Sequence, residues 1–347
     1  FTLGVREIML FNNITIALDM SGCPNRCKHC WIGHFKNGNM SIEDLRYVAN
    51  YFKDYTNSLE VYSWFREPDF NADYKKLWEI DNELSKNTKP KRFELLSFWR
   101  INKDEEYVKW AYNIGVRRCQ LTFFGLEEKT DYYVGRKGAF NELINATRIL
   151  LENKIAPRWQ IFVNKDNINE IEKLIDLSKE MNLEERCKEF GEEFELFIHQ
   201  GSCDGENEKL YNIRITSDDL VNIPKEFHQR LGKMEKDLYG ELINDSSTKN
   251  LVTDSPVFYI TSQFDVYPNY TSIAPWWYLG NIKRDGIKKV LDNYINNRSL
   301  GQKSSLEVPI KEMVKACGDQ NSNRLFDRDD YIIYIINKYC RNNIKFL

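Results

Sequence analysis

Three cysteines stand close together near the start of the chain, in the segment GCPNRCKHCW with the spacing C-x3-C-x2-C. They are Cys23, Cys27 and Cys30. Two cysteines separated by so few residues form a disulfide only with strain, whereas thiolates that bind one metal centre need this closeness. Gly22 and Pro24 favour a tight turn that points several sulfurs in one direction. The clustering therefore predicts a metal site.

Two kinds of metal site fit this spacing. Three thiolates bind three irons of a 4Fe-4S cluster and leave the fourth iron without a protein ligand. Zinc is the alternative, with His34 or His29 as the fourth ligand. Structural zinc sites usually draw ligand pairs from two separate segments, and none of the other cysteines makes a second pair. We favour the cluster, with His29 and Trp31 placed to cover it and its external ligand.

The pattern of hydrophobic residues around this loop predicts alternating strands and helices. Strands are predicted at 14–19, 58–64, 93–98, 118–123, 157–163 and 194–198, and helices at 41–55, 74–84, 103–114, 140–152 and 169–181. Such alternation specifies an α/β fold with a parallel sheet, curved into a partial (β/α)6 TIM-like barrel. Functional side chains are then expected at the carboxyl ends of the strands, where the cysteine loop begins.

The regular alternation of predicted strands and helices ends beyond Gly201, where a polar stretch precedes a charged helical region at 217–242. A further strand is predicted at 257–260 and a terminal helix at 328–340. We therefore predict a core barrel over residues 1–205 and a smaller α+β accessory domain over residues 206–347.

Composition narrows the class of partner. The formal net charge of -3 gives no basic field of the kind that nucleic-acid phosphates require, so nucleic acid is not an expected partner. No stretch approaches the ~20 apolar residues of a membrane span, and the start of the chain lacks a signal-peptide pattern. We expect a cytoplasmic protein without a membrane partner.

The cysteine loop and the segment SWFREPDF together resemble the radical S-adenosylmethionine superfamily. In that family a Gly-Gly-Glu-Pro segment holds the amino group of S-adenosylmethionine. Glu67 matches its acid and Pro68 its proline, whereas Phe65 and Arg66 stand where the family has two glycines. The resemblance implies one 4Fe-4S cluster and S-adenosylmethionine as cofactors. It also implies anaerobic chemistry and a flavodoxin- or ferredoxin-type reductant.

Later segments resemble the family branch with SPASM or twitch extensions. In LTFFGLEEKT, Thr122 stands where the branch often has a serine that contacts the cofactor, and Gly125 matches its glycine. In QIFVNKDN, Asn164 matches a recurring asparagine, and Arg158 is placed to reach a carboxylate. Thr122, Gly125, Arg158 and Asn164 are therefore predicted to bind the cofactor, together with Glu67.

The C-terminal segment FDVYPNYTSIAPWWYLGNI resembles the start of a SPASM-type domain. Asn269 occupies the place of a cysteine that normally follows Val-Tyr-Pro, and Cys317 and Cys340 downstream lack a cluster-binding spacing. An extra cluster needs about four thiolates. We therefore predict a degenerate SPASM-like domain without an auxiliary cluster, which favours epimerisation, rearrangement, elimination or transfer over net oxidation.

The resemblance implies that a 5′-deoxyadenosyl radical removes hydrogen from a bound substrate. Cys203, just after the sixth predicted strand, is the candidate that returns hydrogen to a product radical. Because the predicted barrel begins within the first 15 residues, leaving no peptide-recognition domain before it, a small-molecule substrate is favoured. A peptide substrate is the alternative. An alternative from another functional class is a binding module without catalysis, in which zinc or an iron-sulfur cluster only stabilises the fold.

Overall fold

The computed structural model describes residues 10–92 and 94–344. The strands, in chain order, are β1 (Phe11–Leu18), β2 (Thr56–Tyr62), β3 (Arg118–Phe123), β4 (Ala156–Phe162), β5 (Glu195–His199), β6 (Lys233–Met234), β7 (Val257–Ile260), β8 (Asp265–Pro268), β9 (Gly280–Asn281) and β10 (Leu325–Phe326). The α-helices are α1 (Ile42–Lys53), α2 (Tyr74–Leu84), α3 (Phe98–Ile101), α4 (Tyr107–Asn113), α5 (Glu127–Val134), α6 (Ala139–Glu152), α7 (Ile171–Glu180), α8 (Leu183–Lys188), α9 (Glu235–Leu242), α10 (Ile282–Asp285), α11 (Ile287–Ile295), α12 (Leu300–Glu307), α13 (Ile310–Cys317) and α14 (Arg328–Asn343). In these described ranges no helix is both long enough and apolar enough to span a bilayer.

Among the described residues, the first compact unit is built from residues 10–23, 36–91 and 250–303. Its sheet has the strand order β2-β1-β7-β8-β9, in which β1 pairs in parallel with β2 and β7, and β8 and β9 continue antiparallel. Helices α1 and α2 pack on β2. Because β1 is the strand between two parallel neighbours, Ile14, Ile16 and Leu18 are fully buried.

Helix α1 begins where the sequence predicts it. The Ser41 side chain accepts a hydrogen bond from the backbone N of Asp44, and the Asp44 carboxylate accepts one from the backbone N of Ser41. This reciprocal capping box satisfies two backbone donors that a helix start leaves without partners. The helix then buries one stripe of apolar side chains, at Leu45, Val48 and Phe52, against the sheet.

The second compact unit is built, in its described part, from residues 24–35, 92, 94–249 and 304–344. Its main sheet is the parallel set β3-β4-β5, and α6 packs against β3 and β4. A two-stranded antiparallel sheet joins β10 to β6, and α13 packs against α14 and α9. The cysteine loop passes from the first unit into the second between Cys23 and Pro24.

Most predicted elements are present. The predicted helix at 74–84 and the predicted strands at 118–123 and 257–260 coincide with α2, β3 and β7. The predicted strands at 14–19, 58–64, 157–163 and 194–198 overlap β1, β2, β4 and β5. The terminal helix predicted at 328–340 is α14. The charged region at 217–242 forms two 3-10 helices, Ser217–Asn222 and Lys225–Leu231, followed by α9.

The predicted strand at 93–98 is wrong in its described part. Residue 93 lies outside the described residues, and residues 94–97 form no strand. The Ser97 side chain caps α3 by accepting a hydrogen bond from the backbone N of Arg100, so the chain turns into a helix at Phe98. One backbone bond, from Gln120 N to Glu94 O at 2.8 Å, links this segment to β3. The division near residue 205 stays a prediction.

Candidate functional site

The carboxyl ends of β1 and β2 carry a buried ion pair. Arg66 follows β2, and its guanidinium binds the Asp19 carboxylate, which follows β1, at two points: Nε to Oδ1 at 3.1 Å and Nη2 to Oδ2 at 2.5 Å. The two side chains are 4% and 2% exposed. Gly22 packs so close to this pair that an added Cβ would lie 2.7 Å from Arg66 Nη2. The pair therefore supports the turn that leads into the cysteine loop.

Cys23 is held by its backbone. Its N donates to Asn37 Oδ1 at 3.2 Å, and Asn37 Nδ2 donates to the carbonyl oxygen of Cys23 at 2.9 Å. The Cys23 sulfur lies 3.9 Å from Oε2 of Glu67. Glu67, predicted to hold the amino group of S-adenosylmethionine, thus lies next to a predicted iron ligand. The sequence contains no signal for the role of Asn37.

Cys27 and Cys30 lie in the second unit, where the loop is fixed to α5. Arg26 N donates to the Val134 carbonyl at 3.1 Å, and Lys28 N donates to the Tyr133 carbonyl at 2.8 Å. The Cys30 carbonyl accepts hydrogen bonds from the backbone N of Gly33 and of Glu206. These bonds fix the backbone on both sides of Cys27 and at the carbonyl of Cys30, whose sulfur lies 3.8 Å from the Gly33 carbonyl oxygen.

The exposure of the thiols separates these three cysteines from the rest. Cys23, Cys27 and Cys30 form no disulfide and are partly exposed, whereas Cys119, Cys187, Cys203, Cys317 and Cys340 are buried. Partly exposed thiols on a backbone fixed by hydrogen bonds fit the ligand set of a 4Fe-4S cluster. Among the residues that the structure describes, no three His, Cys, Asp or Glu side chains are grouped to hold a single metal ion. A cluster needs no such group, because each cysteine binds a different iron.

The two histidines considered as zinc ligands have other surroundings. The ring Nε2 of His34 lies 2.9 Å from the Cys27 carbonyl oxygen, and its Nδ1 lies 3.7 Å from Glu206. His29 packs against Phe124 and Phe162, with ring centroids 4.6 and 4.9 Å away. Burial, followed by the charge of His34, lowers the pKa of His29 to about 3. Burial therefore favours the neutral ring of His29, and its role in covering the cluster stays a prediction.

Gly205 makes a close approach to the loop that can be tested. Its φ is +55°, and an added Cβ would lie 2.4 Å from the Trp31 carbonyl oxygen and 2.6 Å from that of Cys30. We expect Gly205→Ala to displace the loop and lower the iron bound after anaerobic reconstitution to less than half, measured by iron assay. Gly191→Ala is the matched control, because Gly191 also has a positive φ, of +81°, but open space around it. Equal iron loss in both variants would contradict this assignment.

A cavity of about 1070 Å³ opens in the second unit. His29 and Trp31 of the cysteine loop line it, and Trp31 is 38% exposed. The floor is one face of the β3-β4-β5 sheet, because side chains of alternate residues point to the same side of a strand. The floor residues are Gln120, Thr122, Arg158, Gln160, Phe197 and His199. The opposite face is apolar and buried, as Leu121, Trp159 and Ile198 show.

Amide side chains form a hydrogen-bonded row across this floor. Gln120 Nε2 donates to Gln160 Oε1 at 2.7 Å, and Thr122 Oγ1 donates to the same oxygen at 3.3 Å. Thr122, predicted to contact the cofactor, therefore lines the cavity and touches Gln160. The parallel register places Thr122 beside Gln160 and Gln120 beside Arg158. The side-chain oxygen of Gln160 thus accepts two hydrogen bonds, and these two bonds fix the orientation of its Nε2.

Arg158 also lines the cavity, and carboxylates of the protein engage it. Its Nε donates to Glu195 Oε2 at 2.6 Å, and its Nη1 lies 3.4 Å from Glu94 Oε2. Arg230 shares Glu195, at 3.1 Å. Both guanidinium carbons lie over the Phe197 ring, 4.5 and 4.9 Å from its centroid. The carboxylates that Arg158 reaches in this structure are therefore Glu195 and Glu94.

Three other predicted residues do not line the cavity. Gly125 follows β3, and its carbonyl accepts a hydrogen bond from the Thr130 hydroxyl at 2.7 Å. Asn164 follows β4, is 2% exposed, and accepts a hydrogen bond from the backbone N of Asp166. Cys203 is 1% exposed, and burial raises the pKa of its thiol to about 12. Its role as a hydrogen donor stays a prediction.

Comparison with known families identifies the domain that holds this loop. The sequence model of the Radical SAM superfamily matches residues 18–178, which include all three loop cysteines and Glu67. Residues 18–178 are a radical SAM domain. No curated protein matches the chain in sequence. The cofactors of the superfamily are a 4Fe-4S cluster and S-adenosylmethionine, as the sequence predicts.

Solved structures resemble nearly the whole chain, including the radical SAM domain. "Native anSMEcpe with bound AdoMet and Cp18Cys peptide" has a TM-score of 0.56 and 16% identity, and the match covers 96% of this chain and 98% of that chain. "Native anSMEcpe with bound AdoMet" has a TM-score of 0.55 with the same identity and coverage. The predicted α/β class, similar to the partial TIM-like barrels of radical SAM enzymes, is confirmed. The predicted resemblance to the SPASM or twitch type is also confirmed.

Several residues of the site were not predicted from the sequence. For Gln120 and Gln160 of the radical SAM domain the sequence does contain an indication, because the segments RCQLTF and PRWQIF alternate polar and apolar residues. Strands of a fully buried parallel sheet read instead as continuous apolar runs, so the alternation indicates a polar inner face. Asp327 and Asp330, which also line the cavity, had no such signal.

Proposed function

We propose that the protein is a radical S-adenosylmethionine enzyme that removes a hydrogen atom from a substrate bound in the cavity of the second unit. The proposal assigns Cys23, Cys27 and Cys30 to the 4Fe-4S cluster, and Glu67 to the amino group of S-adenosylmethionine. When bound, the cluster and S-adenosylmethionine supply a 5′-deoxyadenosyl radical. A flavodoxin- or ferredoxin-type protein is the proposed reductant, since enzymes of this superfamily need one.

One observation carries the proposal. His29 and Trp31, which flank Cys30 in the sequence, line the same cavity as the polar floor of β3, β4 and β5. A substrate seated on that floor therefore lies beside the segment that carries two of the proposed iron ligands. The apolar rings of Phe124 and Phe162 around His29 exclude water from that side of the loop.

For the substrate we propose a peptide or a molecule with peptide-like amide groups. The floor carries the side-chain amides of Gln120 and Gln160, which match carbonyl and N–H groups of a ligand. A structural neighbour that covers 96% of this chain is described with a bound peptide. The small-molecule substrate favoured by the sequence is not favoured by this likeness and is the second candidate.

The reaction can be tested without knowledge of the substrate. We expect the anaerobically reconstituted protein to bind about four irons per chain and, with dithionite, to release 5′-deoxyadenosine from S-adenosylmethionine. Chromatography of the quenched reaction measures the product. A protein that binds four irons and releases no 5′-deoxyadenosine, or one that binds a single zinc, would contradict the proposal.

A further inference from the structure

Two aspartates at the start of α14 line the cavity of the second unit. Asp327 is the N-cap of that helix, and its carboxylate accepts a hydrogen bond from the backbone N of Asp329 at 2.9 Å. Asp330 lies within the first turn and also faces the cavity. Within residues 10–92 and 94–344, no side chain forms a hydrogen bond or an ion pair with the Asp330 carboxyl. The cavity therefore contains a carboxyl group without a protein partner.

The arginines in and near the cavity already have partners within the protein. Arg158 and Arg230 both bind Glu195. Arg214 is fully buried, donates to the carbonyls of Leu325 and Gly201, and has its guanidinium carbon 4.1 Å from the centroid of the Phe326 ring. These partners fix the guanidinium groups in place. Negative charge on Asp327 and Asp330 is therefore the charge that the described cavity offers to a ligand.

A second feature of the cavity points to a carbonyl group in the ligand. Gln160 Oε1 accepts hydrogen bonds from Gln120 and Thr122, which assigns Nε2 to the other side of the amide. None of the described residues accepts a hydrogen bond from Gln160 Nε2. A ligand carbonyl oxygen fits this donor.

We infer that the cavity binds its substrate through a cationic group, an alkylammonium or a guanidinium, held by Asp330 with Asp327 beside it. The inference rests on the proposed function, since it takes the cavity as the substrate site, and it adds the class of substrate. A cation removes the cost of a carboxylate without a partner and forms a charge-assisted hydrogen bond. The cation site at Asp330, together with Gln160 as a hydrogen-bond donor to a carbonyl group, fits a peptide segment that contains lysine or arginine.

The experiment uses defined peptides as probes. Acetyl-Gly-Lys-Gly-amide is titrated into the reconstituted protein by calorimetry, beside the same peptide with Glu or Gln in place of Lys. We expect the lysine peptide to bind best, and Asp330→Asn to weaken its binding about tenfold or more, the size of one charge-assisted hydrogen bond. Circular dichroism confirms that the variant folds, and butylamine as a fourth probe tests a free amine.

Asp329→Asn is the matched control. Asp329 lies on the same helical turn and loses the same charge, but its side chain is 81% exposed and does not line the cavity. We expect this variant to bind the lysine peptide as the wild type does. Equal weakening in both variants would assign the effect to the overall charge of the helix and overturn the inference.

The pH dependence of binding gives an independent readout. Burial, followed by the charge of Asp327, raises the pKa of Asp330 to about 6. Binding of the lysine peptide is expected to weaken as pH falls through 6, because the carboxyl group gains its proton there. The charged groups that act on Asp330 are Asp327, Asp329, Asp204 and Arg214, and the cavity also presents His29, His199, Arg158 and Arg230. Asp330→Asn is expected to flatten this dependence.

Failure of the inference differs from failure of the proposed function. Preference for the glutamate peptide, no binding of the lysine peptide at millimolar concentration, or unchanged binding in Asp330→Asn would overturn the inference. Release of 5′-deoxyadenosine would still support the enzyme in each of these cases. If butylamine binds as tightly as the lysine peptide, a free amine is the substrate cation and the peptide class is overturned.

Discussion

Cys27→Ala is expected to abolish the release of 5′-deoxyadenosine from S-adenosylmethionine by the reconstituted protein. Two thiolates, from Cys23 and Cys30, bind only two irons and leave the cluster without the ligand set that the spacing provides. Because the cofactors carry the difficult chemistry, residual activity should fall below about 1% of wild type. Chromatography of the product and assays of iron and sulfide measure both consequences in the same samples.

The control for this prediction is another cysteine of the same unit. Cys317→Ala removes a buried thiol of α13, whose sulfur lies 3.9 Å from Asn342 Nδ2. We expect its iron content and product release to equal those of the wild type. If Cys27→Ala released as much 5′-deoxyadenosine as Cys317→Ala, the assignment of the cluster to the three-cysteine loop would be lost. Zinc in the wild type in place of iron would support the alternative metal.

The loop and its strand are local features, so they could be predicted from the sequence. The closeness of Cys23, Cys27 and Cys30 is set by sequence spacing alone, and Ser41 with Asp44 encodes a helix start within four residues. Strands β3 and β7 could be predicted for the same reason, since neither the alternating pattern of RCQLTF nor the apolar run VFYI needs a distant partner. These predictions rest on contacts within a few residues of each other.

The cavity depends on pairings between distant segments, which no local pattern contains. Glu195 engages both Arg158 and Arg230, at separations of 37 and 35 residues. Asp330 reaches the same cavity from the other end of the chain. The predicted strand at 93–98 failed for a related reason, because its apolar residues suit a strand while the Ser97 cap favours a helix. Only the folded chain decides between these two signals.

The departure from the family's paired glycines also becomes intelligible in the structure. Phe65 stacks on Tyr259, with ring centroids 4.8 Å apart and planes inclined by 20°, and both rings are buried. Arg66 binds Asp19. The two replacements thus exchange backbone freedom for a stack and an ion pair that tie β2 to β7 and β1. In the sequence alone, Phe65 and Arg66 are only a mismatch to the two glycines of the family's segment.

Arg66→Met is expected to lower the free energy of unfolding by about 3–5 kcal/mol, the usual cost of leaving one partner of a buried ion pair without the other. Asp19, only 2% exposed, would then lie buried without its counter-ion. Urea denaturation followed by circular dichroism measures the change. The double variant Asp19→Leu/Arg66→Met removes both charges, and we expect it to recover most of the loss, because an apolar pair of similar volume carries no desolvation cost.

An exposed pair in the same unit isolates the effect of burial. Arg46 binds Glu83 at two points, with Nη1 to Oε1 at 2.5 Å and Nη2 to Oε2 at 2.9 Å, but the side chains are 40% and 57% exposed. Arg46→Met removes the same kind of contact where water screens it, so the free energy of unfolding should hardly change. A loss in Arg46→Met as large as in Arg66→Met would contradict burial as the cause. No recovery in the double variant would show that the guanidinium of Arg66 acts through its packing. The comparison therefore separates charge from shape at the turn that precedes Cys23.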